Sequence, residues 1–279
     1  AVLRQVLPRP VLDIQRIEAD SGDELLDERW ADRVVVEDNL ILAWKAVVDR
    51  YRTYSEHPFD IDAGTLQRDA TPPDYIAFRE SAINLLIHQD YADHSRKASV
   101  KFFRDGTVIW NPGDAFAATD DLMEPGEKPV RNPRIVAAFR RVGWSEQAGT
   151  GLRAIFQNWQ QLGNVPPIIR NDKSRKQFEL VLPKEMLLSE EQLLFQASLG
   201  VHLDESEAKA FAVACRAGEL GIQDVRAVTG QSAIEAQSVL DRLVLQRIVT
   251  PKKTGDSSQV VVAEHLRDAL KTQITGKSL

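Results

Sequence analysis

Three polar residues at a spacing of four interrupt an otherwise apolar stretch of this sequence. Glu80, Asn84 and His88 lie within FRESAINLLIHQDY, residues 78–91. On a helix of 3.6 residues per turn, a spacing of four changes the direction by only about 40°, so the three side chains share one face. Glu80 could act there as a general base, and Asn84 offers a neutral oxygen ligand suited to a hard cation such as Mg²⁺. We call these three residues the polar stripe.

A structural interpretation of the polar stripe is also open. A carboxylate in apolar surroundings is costly unless it is paired, hydrogen-bonded or bound to a metal. Glu80 could pair with Arg79 or Arg131, since structural ion pairs are common. Asn84 and His88 could equally hydrogen-bond to the backbone within a core.

The elements that must position the stripe follow an α+β pattern. Periodicity and turn residues predict strands over 11–18 and 33–36, a helix over 41–54, the helix of the stripe after Pro73, strands over 99–103 and 107–110, a helix from Pro133 to Gly143, another from about Gly149 through Trp159, and a strand over 177–183. Asn132 is placed to cap the helix that begins at Pro133. Residues 111–128 are rich in Pro, Gly and Asp and are expected to form a loop.

The composition changes after Pro183, which predicts a domain boundary. The expected organisation is a domain over 1–183, a linker over 184–188 and a domain over 189–279. The last part is predicted to form three helices, over 204–218, 222–230 and 232–249, and then a hairpin that reaches 260–262. Three helices and a two-stranded wing is the order of a winged helix-turn-helix, so DNA is the expected partner of this domain.

Candidate DNA contacts follow from that order, because the second helix of the pair enters the major groove. The expected base-reading residues are Ser232, Glu235, Gln237 and Ser238, and the expected phosphate contacts are Arg226, Arg242, Lys252 and Lys253. Residues 187–279 nevertheless contain more acidic than basic side chains, below the balance typical of a DNA reader. A winged helix used for dimerisation or protein contact is the alternative.

Composition narrows the class of protein. Hydrophobic residues make up 43% of the 279 residues, and no apolar run approaches the ~20 residues that a bilayer span needs. We therefore expect a cytoplasmic protein without membrane partners, in which the single Cys215 packs in a helix. The net charge of −6 argues against a broad nucleic-acid coat but leaves room for a local basic patch. The chain begins with Ala rather than Met, which leaves open whether a further N-terminal domain precedes it.

Several motifs together resemble one protein family. They are Arg79-Glu80-x-x-x-Asn84-x-x-x-His88-x-Asp90-Tyr91, Asn111-Pro112-Gly113, Arg131-Asn132-Pro133 and Glu146-x-x-Gly149-Thr150-Gly151-Leu152. In this order and spacing the set resembles predicted transcriptional regulators with a RecG C-terminal-like, divergent histidine-kinase-type (GHKL, Bergerat) ATPase domain. Such proteins usually begin with a Schlafen AlbA-type domain and end in a winged helix. The resemblance covers most of residues 1–183.

The resemblance implies a Bergerat-like α/β sandwich with a site for ATP and Mg²⁺. In such sites the glutamate, here Glu80, polarises the attacking water, and the asparagine, here Asn84, holds the magnesium that bridges the phosphates. The implied nucleotide-binding residues are Asn84, His88, Asn111, Gly113, Gly149, Thr150 and Gly151. The sequence departs from the family in two places. The turn at Asn111 lacks the aspartate with which the family recognises adenine, and Gln89 replaces the arginine that usually follows the histidine at position 88.

The function expected from these observations is that of a DNA-binding transcriptional regulator, acting as a homodimer, with an ATPase-like domain that senses nucleotide without turnover. One alternative is an active Mg²⁺-dependent ATPase with Glu80 as the base and Asn84 as the metal ligand. The other is a non-catalytic interaction or dimerisation module.

Overall fold

The computed structural model describes residues 11–23, 30–55, 60–61, 68–69, 72–118, 121–122, 126, 128–144, 151–252 and 259–274. The chain divides into two compact units, the first comprising 1–162 and 167–184 and the second comprising 163–166 and 185–279. None of the helices among the described residues is long and apolar enough to span a bilayer.

Within these residues the chain forms both helices and strands, which confirms the predicted mixed α+β class. The elements are β1 (Leu12–Arg16), β2 (Asp32–Val36), α1 (Leu40–Tyr54), β3 (Asp60–Ile61), β4 (Arg68–Asp69), α2 (Pro73–His88), β5 (Ala98–Phe102), β6 (Gly106–Pro112), α3 (Pro133–Arg141), α4 (Gly151–Gln161), β7 (Ile168–Asp172), β8 (Gln177–Pro183), α5 (Glu190–Ser198), α6 (Glu205–Ala217), β9 (Glu219–Leu220), α7 (Ile222–Thr229), α8 (Ala233–Leu245), β10 (Val249–Pro251), β11 (Val260–Val262) and α9 (Glu264–Ile274).

A six-stranded mixed sheet forms the frame of the first unit, in the order β2-β1-β5-β6-β8-β7. β1 pairs parallel with β5, and the other neighbours are antiparallel. In β5 the buried residues Ala98, Val100 and Phe102 alternate with part-exposed Ser99 and Lys101, as expected for a strand with one face on the core.

Helix α2 is the central helix of this unit and carries the polar stripe. It packs against α1, α3, α4 and β6. Phe78, Ala82, Ile83 and Leu86 are all buried, and each large apolar side chain contributes about 1.5–3 kcal/mol through burial. Pro73 occupies the first helical turn, where its missing N–H costs no hydrogen bond. Extensive apolar packing therefore fixes the direction in which the stripe points.

Asn132 has a different role from the predicted one. It precedes α3, but its side chain does not cap that helix. Its Nδ2 instead donates to the carbonyl oxygens of Ile87 (2.9 Å) and Gln89 (2.8 Å). The last carbonyls of a helix have no partner within the helix, so this amide satisfies the end of α2. The predicted capping role was wrong because the side chain hydrogen-bonds to residues distant in the sequence instead.

The second unit combines helices with a three-stranded antiparallel sheet in the order β10-β11-β9. α6, α7 and α8 pack against one another around a core that includes Phe211, Leu240 and Leu243. α6 begins with a capping box between Asp204 and Glu207, and Gly218 ends it in the left-handed conformation.

Candidate functional site

A cavity of about 150 Å³ in the first unit is bordered by α2, β6 and β8, by α3 and the start of α4, and by residues 113–117, 122 and 128–131. Six of the eight residues predicted for ATP chemistry line it: Glu80, Asn84, His88, Asn111, Gly113 and Gly151. The other two, Gly149 and Thr150, lie outside the described residues. Residues far apart in the sequence thus converge on one cavity.

Glu80 has a partner on its own helix. Arg79 Nη2 lies 2.9 Å from Glu80 Oε1, and the Glu80 side chain is 13% exposed. This is one of the pairs anticipated by the structural interpretation of the stripe. The guanidinium occupies Oε1, whereas Oε2 has no hydrogen-bond partner among the described residues and can accept from a cavity ligand.

Asn84 lies against the first residue of α4. A Cβ placed on Gly151 would be 3.1 Å from Asn84 Nδ2 and 3.2 Å from Asn84 Oδ1. The absence of a side chain at Gly151 therefore lets the start of α4 approach the amide closely. The Asn84 oxygen consequently lies near a helix N-terminus, where the macrodipole favours negative charge.

His88 is largely buried at the end of the stripe. Burial, and then the nearby positive charge of Arg131, lower the pKa of His88 to about 4. The imidazole is therefore neutral at physiological pH and can offer one donor and one acceptor. It provides hydrogen bonding at this site without adding positive charge.

Asn111 lies near the end of β6, and Gly113 begins the turn that leaves this strand. The Asn111 Nδ2 group donates to the carbonyl oxygens of Pro112 and Gly113, each at 3.1 Å. Gly113 has a φ of 101°, which L side chains rarely adopt. The Gly113 N–H donates to the Lys176 carbonyl at 2.8 Å, which ties this turn to the β7–β8 hairpin.

Arg131 holds the segment that follows this turn. Its Nη2 donates to the Asp114 carbonyl oxygen at 2.8 Å, and its guanidinium lies 4.7 Å from the centroid of the Phe116 ring. On the other side, Asn171 Oδ1 accepts from Ala115 N at 2.9 Å. Residues 114–117, which line the cavity, are thus attached to two separate elements.

Three cations that were not among the predicted site residues also line the cavity: Lys128, Arg131 and Arg140. In the sequence, Arg131-Asn132-Pro133 indicates only a family motif and a helix start. Finding the three cations from the sequence would require knowledge of which segments pack against α2. They add positive charge to a lining that also carries Glu80 and Asp114, and Arg131 pairs with Asp114 at 3.4 Å.

The predicted base-reading residues lie at the start of α8. Ser232 N donates to Glu235 Oε2 at 2.9 Å and Glu235 N donates to Ser232 Oγ at 3.4 Å, which forms a capping box. Ser232 Oγ also donates to Glu235 Oε2 at 2.7 Å. Gln237 Nε2 donates to Asp241 Oδ1 at 2.8 Å. Ser238 is exposed on the same helix. Their contact with DNA stays a prediction.

Arg242 is directed towards α6. Its Nε lies 2.6 Å from Glu207 Oε1 and its Nη2 lies 3.1 Å from Asp204 Oδ2, while Nη1 donates to Ser238 Oγ at 3.1 Å. Glu207 is buried, so the pair contributes to the packing of the unit. A phosphate would have to compete with two carboxylates for this guanidinium.

The other predicted phosphate contacts have intramolecular partners or lie outside the described residues. Lys252 pairs with Glu219, and its Nζ donates to Gln259 Oε1 at 3.3 Å. Arg226 Nη1 donates to Gln223 Oε1 at 3.0 Å. Lys253 lies outside the described residues.

Comparisons with known proteins concern mainly the first unit. Residues 96–182 match the family model "ATP-dependent DNA helicase recG C-terminal". This part of the chain is similar to an ATPase-domain family. The match includes Asn111, Gly113 and Gly151. It begins at residue 96 and therefore excludes the polar stripe, which lies before that residue.

Solved structures with a similar fold include the DIP2311 protein from Corynebacterium diphtheriae, at 16% identity and a TM-score of 0.54, with 94% of this chain and 52% of that chain covered. The chain thus spans about half the length of that protein, and the likeness at this identity concerns the fold alone. No curated protein matches the chain.

Proposed function

We propose that this chain is a DNA-binding transcriptional regulator whose first unit binds a magnesium nucleotide in the cavity. The observation that carries the proposal is the convergence of Glu80, Asn84, His88, Asn111, Gly113 and Gly151 on one cavity, in a unit similar to an ATPase-domain family. The Bergerat-like assignment of this unit is part of the same proposal.

The chemistry of the cavity suits a phosphorylated ligand. Lys128, Arg131 and Arg140 provide cations for phosphate groups, and Asn84 provides a neutral oxygen. Among the described residues there is no group of three or more His, Cys, Asp or Glu that could hold a metal. Mg²⁺ would therefore arrive with the nucleotide, bound by phosphate oxygens, water and Asn84, as is usual for this ion. Bound Mg²⁺ would neutralise phosphate charge.

We expect residues 114–117 to move when a nucleotide binds. The cavity volume is about 150 Å³, whereas small-molecule sites typically measure ~300–1,000 Å³. Opening of the contacts of Arg131 with Asp114 and Phe116 would enlarge the cavity. Nucleotide binding is therefore expected to expose Phe116 further.

The second unit supports the DNA-binding part of the proposal. α6, α7 and α8 followed by the β10–β11 hairpin have the order of a winged helix, with α8 as the helix that enters the groove. Gln237 and Ser238 are exposed on α8 and suit base edges. The homodimeric state belongs to this proposal, because a second copy doubles the phosphate contacts.

The alternative function is Mg²⁺-dependent ATP hydrolysis. Glu80 would act as general base, yet Arg79 already occupies part of its acceptor capacity. Phosphate release by the intact chain, lost in Glu80→Gln while nucleotide binding is kept, would support hydrolysis. Binding without release would support a sensor.

Fluorescence anisotropy of a labelled mixed-sequence duplex, with and without MgATP, tests the proposed regulator. We expect the chain to bind the duplex and MgATP to change the affinity. Asn84→Ala should keep DNA binding and lose the nucleotide response, whereas Asn158→Ala, on α4 but away from the cavity lining, should keep both. Lys252→Ala with Lys253→Ala should lower the salt slope by about one per lost phosphate contact. A DNA affinity that is the same with and without MgATP would contradict the proposal.

A further inference from the structure

The turn between β7 and β8 concentrates positive charge on a chain whose net charge is −6. We call residues 170–176 the basic turn. Its four cations are Arg170, Lys173, Arg175 and Lys176, and its one acid is Asp172. Lys173, Arg175 and Lys176 follow one another at the exposed tip, and the Arg175 side chain is 77% exposed.

The charge at the tip is only partly neutralised by the described part of the chain. Arg170 pairs with Glu179 at 2.5 Å. Arg175, in contrast, lies 3.8 Å from Asp172, which is a long ion pair. Lys173 Nζ donates to the Phe116 carbonyl oxygen at 3.3 Å, and neither lysine of the turn has a carboxylate partner among the described residues. The three cations are exposed at the tip, where they can contact a partner.

The backbone of the basic turn is held by several hydrogen bonds. Asp172 Oδ1 accepts from Ser174 Oγ at 2.6 Å and from Arg175 N at 2.9 Å. Arg96 donates from Nη1 to the Arg175 carbonyl at 2.8 Å and from Nη2 to the Lys176 carbonyl at 3.0 Å. These bonds keep Lys176 at a φ of 50°, which costs about 1 kcal/mol or more. The cations are thus presented from a preorganised backbone, which reduces the entropy lost on binding.

We propose that the basic turn is a surface for the DNA phosphate backbone, additional to the second unit. The inference rests on the proposed DNA-binding function. Each DNA strand carries one phosphate per ~3.4 Å of helix axis, so three cations in four residues can contact neighbouring phosphates and release counterions. Such contacts position DNA without reading its sequence. They also supply positive charge that the second unit, with its excess of acids, provides poorly.

Replacing the three tip cations with glutamine, K173Q/R175Q/K176Q, tests this surface. Anisotropy with a mixed-sequence duplex, between about 50 and 200 mM salt, gives the dependence of affinity on salt. We expect the salt slope to fall by about 0.9 for each lost phosphate contact, so by about 2 to 3, and the affinity at low salt to fall about tenfold or more. An unchanged tryptophan fluorescence spectrum and unfolding midpoint would establish that the variant is folded.

A control variant carries the same change of formal charge near the opposite edge of the sheet. It is K45Q/R50Q/R52Q on α1, which packs on β1 and β2 rather than on β7 and β8. Of its three cations, Arg50 pairs with Asp32 at 3.3 Å. This variant should keep the wild-type slope.

Three outcomes would overturn the inference in distinguishable ways. If the wild-type chain bound no duplex, the proposed DNA function and the basic turn would fail together. If the wild type bound but the turn variant kept its slope, the turn alone would fail as a DNA surface, and an acidic protein would become the partner to seek. Equal losses in both variants would show that only net charge matters, which also refutes a specific surface.

Discussion

Gly113 directly follows β6 and lies against Arg131, which contacts Asp114 at the cavity. The loss of stability on replacing Gly113 with alanine can be worked out from these contacts. Its φ of 101° is strained for any residue with a Cβ. A Cβ there would lie 2.9 Å from Arg131 Nε and 3.1 Å from both Asp90 N and Asp90 Cβ. The Asp90 backbone cannot move easily, because its N–H donates to the Pro112 carbonyl at 2.7 Å. Arg131 must therefore shift.

The expected loss has two parts. The unfavourable backbone conformation costs about 1–2 kcal/mol. Displacement of Arg131 breaks its 2.8 Å hydrogen bond to the Asp114 carbonyl, and a bond from a charged donor contributes about 1.5 kcal/mol or more. Gly113→Ala should thus lower the free energy of unfolding of the first unit by about 3 kcal/mol.

Tryptophan fluorescence during urea unfolding measures this loss selectively. All five tryptophans, at positions 30, 44, 110, 144 and 159, belong to the first unit. Two glycines serve as matched controls. Gly143 has a φ of 74°, which strains an alanine, but an added Cβ would meet no atom within 4 Å, so Gly143→Ala should cost about 1 kcal/mol. Gly22 has neither a positive φ nor an atom within 4 Å of an added Cβ, so Gly22→Ala should change the free energy of unfolding by no more than about 0.5 kcal/mol.

The comparison among the three variants separates the cost of backbone strain from the cost of displacing Arg131. Equal losses for Gly113→Ala and Gly143→Ala would show that backbone strain alone acts, and the proposed displacement of Arg131 would be refuted. A loss near zero for Gly113→Ala would refute both parts.

Three further predictions concern single titratable groups. Burial raises the pKa of Asp13, but hydrogen bonds from Arg33 and Lys97 outweigh it and lower that pKa to about 2. Asp13→Asn should therefore lower the free energy of unfolding by about 2 kcal/mol at pH 7. The difference from the wild type should vanish as the pH falls from about 4 to 2, because the carboxylate stabilises the fold only while it is ionised. Urea unfolding of both proteins at pH 7 and at about pH 2 would measure it. His88, whose pKa burial lowers to about 4, should stay neutral in NMR spectra down to about pH 5, and a midpoint near 6.5 would contradict the observed burial. Burial raises the pKa of Cys215 to about 12, so Ellman's reagent should label the thiol only after denaturation, and rapid labelling of the native chain would contradict the packing.

Elements with strong local signals were predictable from the sequence. The strand over 177–183 was predicted with the bounds that β8 has, since alternating apolar residues lead directly to a proline. The helix of the polar stripe was found for a similar reason, because Pro73 and a long apolar run define it. In these segments local propensity and tertiary packing favour the same structure.

Elements that depend on neighbours were missed. β7 was not predicted, because IIRND is an edge strand that pairs with β8 alone among the described strands, and Ile168 is 41% exposed. The short helix α5 and the strand β9 of two residues carry too little periodicity to be recognised. At the site, the stripe was found from its spacing, whereas the contact of Arg131 with Asp114 joins two loops and has no local signal.

Calorimetric titration of MgATP into the intact chain tests the central proposal most directly. A nucleotide site in the cavity predicts saturable binding that Asn84→Ala weakens at least about tenfold, equivalent to ~1.4 kcal/mol, and that Asn158→Ala leaves unchanged. The absence of binding to the wild-type chain, or equal binding to Asn84→Ala, would contradict the assignment of this cavity to a nucleotide.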